Sequence, residues 1–182
     1  MGNGDMYLKN WYWLPSEMMD KRVKRMVGIA KWTQKGWIRR TEGNVMDDRA
    51  IAEEIMQIVR RYRVDSIAYD KALAHSGIAQ DLMREGVDMH PMSQAIMTMS
   101  EPTKSYEKLN RQSRMKNDGN PVTGWMLENV VIYRDANHNE KIVKNKATEK
   151  IDGIVAGVMA VSQWMYVEAE NPMSIYAQND LK

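Results

Sequence analysis

Between residues 47 and 92 the sequence switches repeatedly between two hydrophobic periods, and this switching limits the fold more than any other feature. Asp47 and Asp48 open a segment in which Ile51, Ile55, Ile58 and Val59 recur at helical spacing, and Arg60, Arg61 and Arg63 close it. Acids suit the positive end of a helix dipole and arginines the negative end. Residues 64–69 (VDSIAY) read as a short strand ending at Asp70. A second helix spans about 72–84 and stops at Glu85-Gly86, and residues 87–92 form a further strand interrupted by Pro91. Upstream, residues 6–14 (MYLKNWYWL) read as a strand stopped by Pro15. Ser16 can cap a helix over 17–34, and residues 37–40 form a short strand before the turn at Glu42-Gly43-Asn44. Strands alternating with helices predict βαβ units and an at least partly parallel sheet, an α/β fold.

Downstream, Pro102 opens a polar helix over 103–115, and residues 117–121 (NDGNP) form a loop. A short helix follows over 122–129. Residues 130–133 and 141–143 flank Asp135-Ala136-Asn137-His138-Asn139 and predict a β-hairpin. The last helix runs over 148–166, with Ile151, Ile154, Val155, Val158, Met159 and Ser162 on its apolar side. Beyond it the periodicity is lost, Pro172 intervenes, and the chain reads as a tail.

Composition narrows the function. With 182 residues and 43% apolar residues, the chain suits one globular domain with a tail. The sequence holds no cysteine, which excludes a disulfide framework, a thiolate zinc site and a cysteine nucleophile. No window approaches the apolar length of a membrane span, and the first residues lack a signal-peptide pattern. A net charge of +2 excludes a global polycation but not a local DNA-binding face. Phe is absent while Met numbers 17, so methionine is expected to fill core volumes that phenylalanine often fills. There is no GxxxxGK[ST] phosphate loop and no GxSxG nucleophile elbow. His75, His90 and His138 are too far apart for a local metal motif and read as surface or structural residues.

Two carboxylates stand out by position. Asp70 ends an apolar strand directly before a helix, where open α/β sheets gather ligands and reactive groups; the same position also suits a plain helix N-cap. Asp152 lies in the first turn of the last helix, within IDGIVA, and is expected to be at least partly buried. A buried carboxylate needs a partner or a metal, and Gly153 leaves room for close approach; a dipole-stabilising acid is the other reading. Glu149 can share a helix face with Asp152. Lys104, Lys108 and Arg111 lie at i, i+4 and i+7 with Arg114 and Lys116 just beyond. This stripe suits either DNA phosphates or a solvated helix face.

Four stretches, taken in order, resemble the nuclease domain of the large terminase subunits of tailed bacteriophages. They are Trp13-Leu14-Pro15 with the acidic helix after it; Ile67-Ala68-Tyr69-Asp70; Gly119-Asn120-Pro121-Val122 with Trp125-Met126 and Asn129-Val130; and residues 148–156 (TEKIDGIVA). Their order and spacing match over residues 6–165. The resemblance implies an RNase H-like mixed sheet with flanking helices over residues 1–166 and a C-terminal tail over 167–182. It implies a metal-dependent endonuclease that cuts concatemeric viral double-stranded DNA during genome packaging in the host cytoplasm. Two divalent ions, Mg²⁺ or Mn²⁺, would be held by acids, with Asp70 and Asp152 on the family's second and last acids and Glu149 as an accessory ligand. The terminase small subunit and the portal protein are the implied partners. The family's first acid, on an opening strand in a pattern like Gly-x-Asp-x-Ser, finds no match: the chain reads as starting at the third strand, and Asp5 precedes the wrong one. In an RNase H-like sheet that opening strand is central and pairs with the strand carrying Asp70. The family's ATPase half is unmatched as well. Two functions therefore stand: a nuclease or the larger part of one, and a non-catalytic remnant that binds DNA or a packaging partner.

Overall fold

The longest apolar helix organises the molecule. In the computed structural model, which describes residues 5–18, 28–74, 76–145 and 150–170, this helix runs Asp152–Glu170. In chain order the elements are β1 (Met6–Leu8), β2 (Trp13–Pro15), α1 (Ile29–Gln34), β3 (Arg39–Thr41), α2 (Asp48–Arg61), β4 (Ile67–Asp70), α3 (Gly77–Arg84), β5 (Met89–Met92), α4 (Ile96–Arg111), β6 (Met115–Asn117), α5 (Pro121–Glu128), β7 (Val130–Arg134), β8 (Glu140–Lys144) and α6 (Asp152–Glu170). The strands associate in pairs. β1 with β6, β2 with β3 and β4 with β5 are parallel, and β7 with β8 is antiparallel. The expected partly parallel α/β character and the hairpin are both present.

α6 packs on α4, α5 and β4. Ile154 and Val158 are fully buried, with Val161, Met99, Val122 and Leu109 in the same core. Met92, Met99, Met126 and Met159 occupy that core, as expected where phenylalanine is lacking. Gly157 lets Tyr106 and Leu8 close on the helix, because a Cβ there would meet the Tyr106 ring at 3.1 Å.

Several boundaries differ from the sequence reading, each for a local reason. The strand expected over 6–14 is two strands, because β1 pairs with β6 and β2 with β3, and residues 9–12 must turn between them. Pro15 ends β2 within the ladder; a strand terminus tolerates its missing N–H. The Ser16 hydroxyl donates to the Thr41 carbonyl oxygen at 2.9 Å and so ties the chain to β3. Most of the helix expected over 17–34 lies outside the described residues, apart from α1. The helix expected over 72–84 is a 3₁₀ turn, Lys71–Leu73, followed by α3.

The largest difference is α4. Proline marks a first turn well, so Pro102 reads as a helix start, yet it lies inside α4 and is buried. The packing of Met99, Thr103, Tyr106 and Leu109 outweighs the lost backbone hydrogen bond. Met115, expected at the end of this helix, instead begins β6. α6 begins at Asp152 rather than at 148 and continues to Glu170; residues 171–182, most of the expected tail, lie outside the described residues.

The α6 core face yields a stability prediction. Ile154→Ala removes a side chain with no exposure and should lower unfolding free energy by about 2–5 kcal/mol, read from a denaturant titration. Ala160→Ser, on the exposed face of the same helix, should shift it by less than about 0.5 kcal/mol.

Candidate metal-binding cleft

Parallel pairing of β4 with β5 sets Asp70 opposite Met92, so both strands end at one edge of the molecule. Asp70 caps the 3₁₀ turn there, with Oδ1 accepting the Ala72 N–H at 2.9 Å. Its Oδ2 accepts a 2.7 Å hydrogen bond from Gln94 Nε2, on the segment that leaves β5. The carboxylate is therefore the N-cap that the sequence allowed, and it stands fixed at a strand end.

The packing of α6 on β4 brings the start of α6 to the same edge. Asp70, Gln94, Lys141, Lys144 and Asp152 line one cleft of about 650 Å³. Asp152 is exposed, contrary to the expected partial burial. Ile151, Gly153 and Ile154 take the inward positions, and the helical turn leaves the intervening residue facing outward. Asp152 also borders a smaller cavity of about 160 Å³ walled by Tyr12, Trp32 and Trp125, with Lys150 beside it. Glu149 lies outside the described residues, as does His75. Among the described residues no group of three or more His, Asp or Glu is placed to hold a metal. The cleft thus presents two carboxylates, whose hard oxygens are of the donor type that divalent cations favour.

The first turn of α6 is held from several sides. Asn10 Nδ2 donates to the Gly153 carbonyl oxygen at 3.2 Å, and Asn129 Nδ2 donates to that of Lys150 at 3.3 Å. The Gly153 N–H points to Met126 Sδ at 3.2 Å. The Tyr12 hydroxyl lies 2.8 Å from Thr123 Oγ1 in α5. Burial raises the Tyr12 hydroxyl above its ordinary value, and the nearby Asp118 and Asp152 charges add smaller upward pushes. Gln94 and Tyr12 escaped the sequence reading because their roles depend on chain crossings. Gly153, whose lack of a side chain signals close approach, was the available clue.

The basic stripe lies on and just after α4. Lys104 pairs with Glu101 at 2.9 Å and Arg111 with Glu107 at 2.6 Å, both acids being on the same helix. Lys108 is exposed, Arg114 is half-buried, and Lys116 Nζ donates to the Ser113 carbonyl oxygen at 2.7 Å. His90 sits 3.0 Å from Asp88, and His138 takes a left-handed conformation in the hairpin turn, both as structural residues.

Several known proteins are similar to this chain as a whole. A family profile described as "Terminase large subunit, endonuclease domain" matches residues 1–168. Protein YmfN of Escherichia coli (strain K12) is 30% identical over 175 residues, covering 92% of this chain and 38% of that protein. The terminase large subunit of Enterobacteria phage HK97 is 28% identical over 160 residues, covering 83% of this chain and 30% of that protein. The chain thus spans about a third of the length of the curated relatives it matches. The crystal structure of the HK97 large terminase superposes with a TM-score of 0.75 at 27% identity, over 83% of this chain and 32% of that one. The large terminase nuclease from thermophilic phage G20c superposes with a TM-score of 0.53 at 16% identity, over 66% and 64%, a likeness of fold alone.

The tyrosine beside the cleft can be tested by titration. In an ultraviolet titration, Tyr12→Phe should remove one chromophore from the fraction ionising above the ordinary value near 10, and Tyr106→Phe another, since burial raises that group too. A raised folded value means that the stability these hydroxyls contribute is complete below the unfolded value and is lost as pH climbs through the folded one.

Proposed function

The chain belongs to the terminase large-subunit endonuclease domain family, and on that footing we propose that it is a metal-dependent endonuclease acting on double-stranded DNA during viral genome packaging. The observation that carries this reading is the meeting of Asp70 and Asp152 in one cleft, one from a strand end and one from a helix start. Asp70 and Asp152 would hold the ion, with Glu149 as a further ligand. A bound Mg²⁺ or Mn²⁺ supplies Lewis acidity and lowers the pKa of its water. Gln94 orients the Asp70 carboxylate, and Lys141 and Lys144 offer positive charge to the scissile phosphate's neighbours. Lys104, Lys108, Arg111, Arg114 and Lys116 would follow the DNA backbone farther out. The portal and the small terminase subunit are the partners in this reading, and the host cytoplasm its place of action. Among the described residues no helix is long and apolar enough to cross a membrane.

The sheet is read as RNase H-like and as completed by strands outside this chain. Supporting this, β1 and β4 each pair with a single strand among the described residues, and a groove of about 540 Å³ runs between Tyr7 and Ile67 over Ala156, Ala160 and Trp164 of α6. Tyr7 is 82% exposed beside it. Isolated two-stranded parallel pairs seldom stand alone. A second function, DNA or partner binding without cleavage, draws on the presence of only two candidate carboxylates among the described residues.

Plasmid nicking in Mg²⁺ and in Mn²⁺ tests these readings. The 182-residue chain should cut poorly, because two-metal chemistry needs a second ion held at a set separation. A longer polypeptide that supplies the opening strands should gain activity, and Asp70→Ala or Asp152→Ala within it should abolish cutting while keeping most DNA binding. Full activity in either variant removes the site, and an inactive long polypeptide that still binds DNA favours the second function. Replacing Lys104, Lys108 and Arg111 with Ala should weaken binding to all sequences and reduce the salt slope by up to about 0.9 per lost phosphate contact. An unchanged slope returns the stripe to a solvated helix face.

A further inference from the structure

The two cleft carboxylates are held in different ways. Asp70 is fixed through its own oxygens, by the Ala72 N–H and by Gln94. Asp152 is exposed, and among the described residues no side chain pairs with its carboxylate; what is held is the backbone beneath it. That backbone is the first turn of α6, and the group pressed against it is Tyr12. A Cβ on Gly153 would lie 2.2 Å from the Tyr12 hydroxyl oxygen and 2.7 Å from a ring carbon, far inside contact distance. The backbone of Gly153 needs no left-handed conformation, so glycine is required there for space alone. The Tyr12 hydroxyl is in turn bonded to Thr123 of α5, which ties the ring to a second element. Two residues earlier, Asn10 holds the Gly153 carbonyl oxygen, so the β1–β2 connection grips one residue of α6 twice.

We propose that Tyr12 is a positioning residue that sets Asp152 in the cleft by packing on Gly153. The assignment rests on the reading of Asp152 as a metal ligand. Tyr12 is wedged between α5 and the first turn of α6, and Gly153 is the notch that receives it. The ring fixes the lateral place of the turn, and the Asn10 bond fixes its rotation. A ligand held within a few tenths of an ångström keeps its metal affinity, whereas one carried on a loosened turn does not.

The test is Mn²⁺ binding to the 182-residue chain, read by calorimetry and by the loss of free-ion electron paramagnetic resonance signal, beside a thermal melt of each variant. The parent chain should bind one Mn²⁺. Asp152→Asn should weaken binding about tenfold or more, and Tyr12→Ala and Gly153→Ala should each weaken it about tenfold with the fold retained. Tyr12→Phe, which keeps the ring and loses the Thr123 bond, should fall between Tyr12→Ala and the parent. The deciding comparison is Tyr12→Ala within Asp152→Asn, which should add no further loss because Tyr12 acts through Asp152. An equal loss in both backgrounds marks a general structural role and overturns the assignment. Parent-like affinity in both Tyr12→Ala and Gly153→Ala, with Asp152→Asn still weakened, also overturns it and leaves the metal reading intact. Parent-like affinity in Asp152→Asn, or no Mn²⁺ binding by the parent, removes the metal reading and the assignment with it.

Discussion

Burial of one face of α6 is the constraint on which the other elements depend. The helix carries few charges, and its inward residues, from Ile154 through Val161, find partners on α4, α5 and β4. Apolar surface of this kind must be covered, at about 25 cal/mol per Å². Among the described residues the strands are short and paired two by two, so these ladders alone do not unite them. They are assembled through contacts with the helices. α6 contacts β4 directly and receives Leu8 of β1 at Gly157, which brings strands from distant parts of the chain to one helix.

The parts of the fold legible in the sequence are those governed by local chemistry. Asp47 is the N-cap of α2, with its side chain accepting the Ala50 N–H, and Asn120 caps α5 with Pro121 behind it. Both ends are written in residues adjacent to the helix. The hairpin was legible because its turn closes on itself: Asp135 accepts the Asn137 and Asn139 N–H groups, and the Asn139 bonds hold its carboxyl below the usual carboxylate range. What was not legible depended on partners far away in sequence. Residues 6–14 carry a continuous β-prone composition, but their division into β1 and β2 is decided by β6 and β3. Pro102 carries a strong local signal for a helix start, and tertiary packing overrides it.

The candidate site divides along the same line. Asp70 could be found because strand and turn signals converge on it, and Asp152 because an acid interrupts an apolar run. That the two share a cleft follows from packing α6 on β4, which no spacing within one segment encodes. The exposure of Asp152 was misjudged because its flanks were weighed without the helical phase that turns one residue in three or four outward. Gln94 and Tyr12 are ordinary residues in ordinary segments, and only the chain crossing gives them work.

Electrostatics explains why this edge of the molecule can collect acids. Asp152 sits in the first turn of α6, where unsatisfied N–H groups and the aligned peptide dipoles favour negative charge. Asp70 accepts an N–H at the start of its own short turn, a smaller version of the same arrangement. The lysines that line the cleft, Lys141 and Lys144, stand on β8 rather than in ion pairs with either acid. The same charge balance bears on Tyr12. A tyrosine hydroxyl, neutral near pH 7 and pushed further from ionisation by burial, can lie beside Asp152 without adding a third negative charge.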